Sequence, residues 1–156
     1  MIKITLPDNS VKEFDKGITG LGIAEAISSR LAKEVLSISV NGEVRDLSRS
    51  IDSDASIKLH LWDDLQGRET FWHSSAHLMA EAIEFFYPGT KFGIGPTVDN
   101  GFYYDIDLPE GKVLTDKDLA AIEQKVLELA RTKEEIFRSE ISKADAIKLF
   151  TEKDDP

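Results

Sequence analysis

The sequence predicts an α+β protein built as two small domains, and three observations carry that prediction. Apolar residues alternate with period two in several short runs of the first 62 residues, around one segment of helical period. A long helical pattern then opens the remainder, followed by two strand patterns and further helical segments. Between the halves lies Asp63-Asp64-Leu65-Gln66-Gly67, a short polar stretch that marks a boundary. The expected domains are therefore residues 1–62 and 63–156.

In the first domain Ile2, Ile4 and Leu6 alternate with Lys3 and Thr5, the pattern of a half-buried strand. Pro7-Asp8-Asn9-Ser10 has turn chemistry, and Val11 to Phe14 returns as a second strand. Ile23, Ala24, Ile27 and Leu31 recur at helical spacing. Leu36 to Val40 reads as a strand closing in Asn41-Gly42, a hairpin signal because both residues tolerate positive φ. Ile57, Leu59 and Leu61 alternate with Lys58 and His60 in a last strand. His60 falls on the polar side of that strand and is expected to be exposed. The order β-β-α-β-β-β suits a small sheet with one helix across it.

In the second domain a helix is expected from Arg68 to Tyr87, ended by Pro88-Gly89. Two strands follow, Lys91 to Val98 and Phe102 to Leu108, joined through Asp99-Asn100-Gly101. Thr115 with Asp118 forms a capping box for a helix carrying Leu119, Ile122, Val126 and Leu129. Ile136 to Ile141 reads as a strand, and Ser142 caps a final helix reaching Thr151. The chain ends in Glu152-Lys153-Asp154-Asp155-Pro156, a loop sequence without a closing element, so the domain is expected to continue past it.

Composition narrows the function. Of the 156 residues 41% are hydrophobic and 31% charged, a globular balance. No apolar run approaches the ~20 residues that span a bilayer, and no signal-peptide pattern opens the chain. The expected location is the cytoplasm, with no membrane partner. Without cysteine, disulfides, thiolate catalysis and thiolate metal ligands are excluded within these residues. Net charge is −10 and uneven: residues 1–62 carry 8 positive and 9 negative groups, residues 63–156 carry 11 and 20. So acidic a second half repels a phosphate backbone at long range, which excludes generic nucleic-acid binding.

The chemistry-bearing residues are concentrated. His73-Ser74-Ser75-Ala76-His77 sets two of the three histidines one helical turn apart. On an ideal helix Trp72, Ala76, Met79, Ala80, Ile83 and Phe86 share one face, with His73 roughly 80° and His77 roughly 120° from its centre. Glu81 and Glu84 lie near them. The pair flanks the apolar stripe, placed to line a cleft. The spacing alone favours two partly exposed histidines on an amphipathic helix, with a shared metal ion and acid–base or substrate-positioning work near pH 7 as the functional alternatives. A zinc-protease arrangement is excluded because Ser74 stands where its glutamate would be. Gly93 and Gly95, one residue apart within a strand pattern, suggest close approach by a ligand or another backbone. They are equally ordinary turn punctuation, as is Asp99-Asn100-Gly101. Tyr104 faces away from Tyr103 and offers a hydroxyl or a stacking ring.

Together, His73-Ser74-Ser75-Ala76-His77-Leu78, Gly95-Pro96 and Asp99-Asn100-Gly101-Phe102-Tyr103-Tyr104-Asp105 resemble the N-terminal part of the bacterial threonyl-tRNA synthetase family, over essentially the whole chain. Residues 1–62 resemble its TGS domain, a ubiquitin-like β-grasp module. Residues 63–156 resemble the first part of its editing domain, truncated. The resemblance implies hydrolysis of serine wrongly esterified to threonine tRNA. Serine keeps the hydroxyl of threonine and lacks one methyl group, which a binding site discriminates by only about 1–3 kcal/mol. A second site too small for threonine corrects the error by cutting the ester.

On this resemblance His73 and His77 are the catalytic residues, His73 holding the terminal ribose hydroxyl or helping to activate water and His77 positioning the substrate or its partner histidine. Gly95 and Tyr104 are substrate-binding wall residues, and Asp99 supports them. The pocket is expected to be metal-free, although its layout is similar to the zinc-containing editing domains of alanyl-tRNA synthetases. The implied partners are the acceptor end of tRNA(Thr) and the rest of the synthetase, a homodimer through other domains. No cofactor is expected within these residues. ATP, Mg and a zinc ion are implied for the aminoacylation core, which has no counterpart here. A lysine and a cysteine- and histidine-containing cluster of the editing domain are also missing. The alternatives are a non-catalytic β-grasp binding or regulatory module, or a freestanding trans-editing protein.

Overall fold

A computed structural model describes residues 1–134 and 137–153. Its backbone divides into two compact units, Met1–Ser74 and Ser75–Pro156, each with its own core.

In the first unit β1 (Ile2–Thr5) pairs antiparallel with β2 (Val11–Phe14), and Ile2 and Ile4 point into the core as their alternation dictates. β3 (Ile18–Thr19) leads into α1 (Gly20–Ile27), where the Thr19 side chain accepts from the Gly22 amide. The expected single helix is then interrupted. Ser28 is extended (φ −165°, ψ 148°), so it ends α1, and its hydroxyl accepts from the Leu31 amide to start α2 (Ser29–Glu34). A serine side chain that satisfies an orphan helix amide competes with continuing the helix.

β4 (Ser37–Val40) and β5 (Glu43–Arg45) form the expected hairpin, with Asn41 at φ 51° and Gly42 at φ 87°, the signs of a type I′ turn. β6 (Ser50–Ile51) pairs with β3 in a small ladder of two residues from each strand, too short for alternation to reveal. β7 (Ala55–His60) runs parallel to β1 and antiparallel to β4, giving the sheet order β2-β1-β7-β4-β5. The five long strands with helices between the second and third are a ubiquitin-like β-grasp. Its core is Ile2, Ile4, Ile23, Ile38, Val40, Ile51, Ala55 and Ile57.

His60 corrects an expectation. It is 3% exposed rather than exposed, although it lies on the opposite face of β7 from Ala55 and Ile57. Its Nε2 lies 2.6 Å from Ser39 Oγ, a hydrogen bond whose direction follows the ring tautomer. Alternation gives the face of a strand but not whether that face is covered. Burial holds the His60 imidazole below its ordinary pKa, with Lys58 acting in the same sense and Asp64 against it. The unfolded chain therefore binds the proton more tightly. Stability from this site is present above about pH 6.5 and is lost as pH falls from there towards the lowered folded value. Urea unfolding between pH 7.5 and 5.5 is expected to show falling stability in the parent chain and a flatter profile in His60→Gln; equal slopes would remove His60 as the cause.

α3 (Leu65–Phe86) begins three residues before the expected start, so much of the polar boundary is helix. Asp64 organises the turn before it. Its carboxylate accepts from the Leu61 amide at 3.1 Å and the Lys58 ammonium at 2.6 Å, and the Lys58 bond is the main reason its pKa is lowered. Arg68 Nη1 donates to the carbonyls of Trp62 and Asp63, and Trp62 packs edge-on against Phe71 and Trp72. These contacts join the first turns of α3 to the sheet, which is why the compact units part at Ser74 rather than at residue 62.

In the second unit the later turns of α3 bury Ala76, Ala82 and Ile83. The two expected long strands are a ladder broken in the middle. β8 (Lys91–Phe92) pairs with β11 (Ile106–Asp107), and β9 (Thr97–Val98) pairs with β10 (Gly101–Phe102). A short 3-10 turn at Pro109–Gly111 precedes α4 (Asp116–Thr132), whose capping box between Thr115 and Asp118 is formed in both directions. Asp118 is held below the usual carboxylate range by the Thr115 hydroxyl first, then the Thr115 amide and the Tyr87 hydroxyl. Ala82, Ile83, Leu108 and Ile122 form the core, with Met79, Phe92, Val126 and Leu129 packed on it. Residues 137–141 form no strand, contrary to expectation, and Ile136 lies outside the described residues. Exposed side chains at Phe137 (83%) and Ile141 (53%) find no sheet to join. α5 (Lys143–Glu152) starts at the expected cap, with Ser142 Oγ accepting from the Asp145 amide.

Candidate functional site

Trp72, Ala76, Met79 and Ile83 form the inward stripe of α3, and His73 and His77 stand one turn apart beside it, both exposed. The stripe fixes the azimuth of the helix, and so fixes where the imidazoles can point. The burial of Ala82 widens the stripe on the side that the ideal-helix reading left out.

Gly95 and Tyr104 are brought into direct contact. A Cβ built on Gly95 would stand 2.8 Å from Cδ2 and Cε2 of the Tyr104 ring, closer than side chains pack. Phe92 holds the same ring edge-on, with centroids 5.5 Å apart and planes at 74°. Gly93 donates its amide to the Asp105 carbonyl at 2.8 Å, so the strands stay joined across the interruption. The close approach expected at these glycines is thus made by the protein itself, by a ring at Gly95 and by Asp105 at Gly93. Asp99 lies elsewhere, exposed in the two-residue turn between β9 and β10, where Gly101 takes φ 148°.

A groove of 310 Å³ in the second unit is lined by Ser75 and Met79 of α3, Phe102 of β10, and Ile122, Glu123 and Val126 of α4, among others. Ile122 and Val126 were expected only as part of the apolar spacing of a helix, and none of the groove residues was expected as a site residue. The signal lay in Ser75, a small polar residue between the two histidines. Among the described residues no group of three or more His, Asp or Glu side chains is placed to hold a metal ion, and no helix is long and apolar enough to cross a membrane.

Residues 2–61 match the family described as the TGS domain. Over 150 residues, 96% of its length, the chain is 63% identical to a threonine–tRNA ligase of Parabacteroides distasonis and covers 23% of it. It is 56% identical to the threonine–tRNA ligase of Cytophaga hutchinsonii over all 156 residues, 24% of that protein. With the ligase of Porphyromonas gingivalis it shares 57% over 155 residues, again 24% of the relative. The chain thus spans about a quarter of the length of the curated relatives it matches. Residues 2–61 are therefore a TGS domain, and the chain as a whole is the counterpart of about a quarter of an aminoacyl-tRNA synthetase of the threonine–tRNA ligase family.

Proposed function

We propose that this chain is the N-terminal region of a threonine–tRNA ligase and supplies part of a hydrolytic site that removes serine from tRNA(Thr). The observation that carries the proposal is the exposed histidine pair on α3, in a chain 56–63% identical to threonine–tRNA ligases over nearly its whole length. Ester hydrolysis needs a water aligned on the carbonyl carbon and a group that holds the ribose or moves a proton near neutral pH. Imidazole does both. His73 holds the terminal ribose hydroxyl or helps to activate water, and His77 orients the substrate or His73.

The Gly95–Tyr104 contact supports a wall role for both residues, since a side chain at position 95 would displace the ring. Asp99, exposed on the turn between β9 and β10, is assigned a supporting role in the substrate-binding wall. The tRNA acceptor end reaches an acidic surface, so its phosphates are held by basic residues elsewhere in the ligase. ATP, Mg and zinc belong to the aminoacylation core of the ligase, which works in the cytoplasm as a homodimer. In such a ligase His77→Ala is expected to slow hydrolysis of seryl-tRNA(Thr) at least about tenfold, with threonine attachment unchanged. Undiminished serine clearance would overturn the assignment.

A further inference from the structure

We infer that the TGS-containing unit carries a recognition groove for an arginine side chain presented by a partner polypeptide. The groove encloses 390 Å³ and is lined by Glu34, Leu36, Leu61, Trp62, Asp63 and Phe71. Three features of this lining converge on one chemistry. Leu36 and Leu61 offer an apolar bed for an alkyl stem. Trp62 and Phe71, 49% and 46% exposed, offer aromatic surface, and their perpendicular pairing at 5.3 Å sets the two rings at 86°. Trp72 also packs edge-on against Trp62, with centroids 6.1 Å apart, so the indole is held in place before any ligand arrives.

The charges select the occupant. Both ionisable residues of the lining are carboxylates, which repels phosphate and favours a cation. Asp63 has no ion-pair partner among the described residues, and Arg68 engages only its backbone carbonyl, at 3.1 Å. Glu34 pairs with Arg30, whose side chain is 85% exposed, a weak surface pair that a ligand can replace. A planar guanidinium stacks on an aromatic face and forks its donors to carboxylates, which a compact ammonium does less well. A second copy of the chain is the poorer occupant, because two molecules of net charge −10 repel each other.

The test uses the 156-residue chain and its two tryptophans, whose indole N–H signals report separately by NMR. The probe is the peptide Gly-Gly-Arg-Gly-Gly beside the same peptide carrying citrulline, which keeps the shape and loses the charge. Arginine peptide is expected to shift the Trp62 signal saturably with Kd on the order of millimolar. Citrulline peptide, or the double variant Glu34→Gln with Asp63→Asn, is expected to bind at least about fivefold more weakly. Absence of saturation by roughly 50 mM arginine peptide would overturn the proposal. So would equal binding of the citrulline peptide, unweakened binding by the double variant, or a Trp62 shift that follows protein concentration alone.

Discussion

Alanine at Gly67 is expected to destabilise the first unit by about 2 kcal/mol, although glycine to alanine inside a helix ordinarily gains up to about 1 kcal/mol. Gly67 sits in the first turn of α3, where the helix meets the end of β7. A Cβ there would lie 2.0 Å from the Leu61 carbonyl oxygen and 2.8 Å from its carbon. Neither atom belongs to a flexible side chain that can move aside. The Leu61 backbone is pinned by the bond from its amide to Asp64 and by the neighbouring His60 carbonyl, which accepts from the Leu36 amide. Relief must come from moving α3 away from the sheet, which loosens the Trp62, Phe71 and Trp72 contacts. Thermal unfolding followed by tryptophan fluorescence should show a midpoint lower by about 10 °C. Exposed Glu69→Ala on the same helix should stay within about 0.5 kcal/mol of the parent. A Gly67→Ala chain as stable as the parent would mean that the helix does not press on Leu61 as described.

The second large effect concerns chemistry. In a threonine–tRNA ligase carrying this segment, His73→Ala is expected to lower the rate of seryl-tRNA(Thr) hydrolysis by about a hundredfold or more. Attachment of threonine should keep its rate, because the proposed function places aminoacylation in other residues of the ligase. His73→Asn separates the two roles. Asparagine can hold a ribose hydroxyl but cannot exchange a proton near pH 7. Substantial retained hydrolysis in His73→Asn would assign His73 to holding, and a loss as deep as in alanine would assign it to proton transfer. His73 is exposed on α3, outside the stripe of Ala76 and Ile83, so removing it leaves the cores intact.

Local chemistry was the most legible part of the fold. The Ile2/Ile4 alternation, the Asn41-Gly42 turn, the Thr115–Asp118 box and the Ser142 cap each depend on a few neighbouring residues, and each forms where the pattern places it. Features that depend on distant residues were not legible. Burial of His60 requires Ser39 from another strand, and the need for glycine at position 67 comes from the backbone at Leu61. The break at Ser28 was hidden because Ile27 and Leu31 continue the helical spacing across it, while the serine hydroxyl decides the backbone. The strand expected from Ile136 to Ile141 is not formed by residues 137–141, where only Phe137 and Ile141 are apolar, four residues apart, too sparse for the period-two face of a strand.

The candidate site divides in the same way. That His73 and His77 flank an apolar stripe was legible from helix geometry. That Gly95 is kept small by the Tyr104 ring, and that α4 walls a groove beside Ser75, needed the fold.

Paired hydrolysis assays decide whether the histidine pair serves the removal of serine. Seryl-tRNA(Thr) and threonyl-tRNA(Thr) would each be incubated with the parent ligase and with His73→Ala, and threonine attachment measured on the same preparations. Rapid loss of serine but not threonine is expected from the parent, slow loss of both from the variant, and equal threonine attachment by the two. Serine loss from His73→Ala at the parental rate would contradict it.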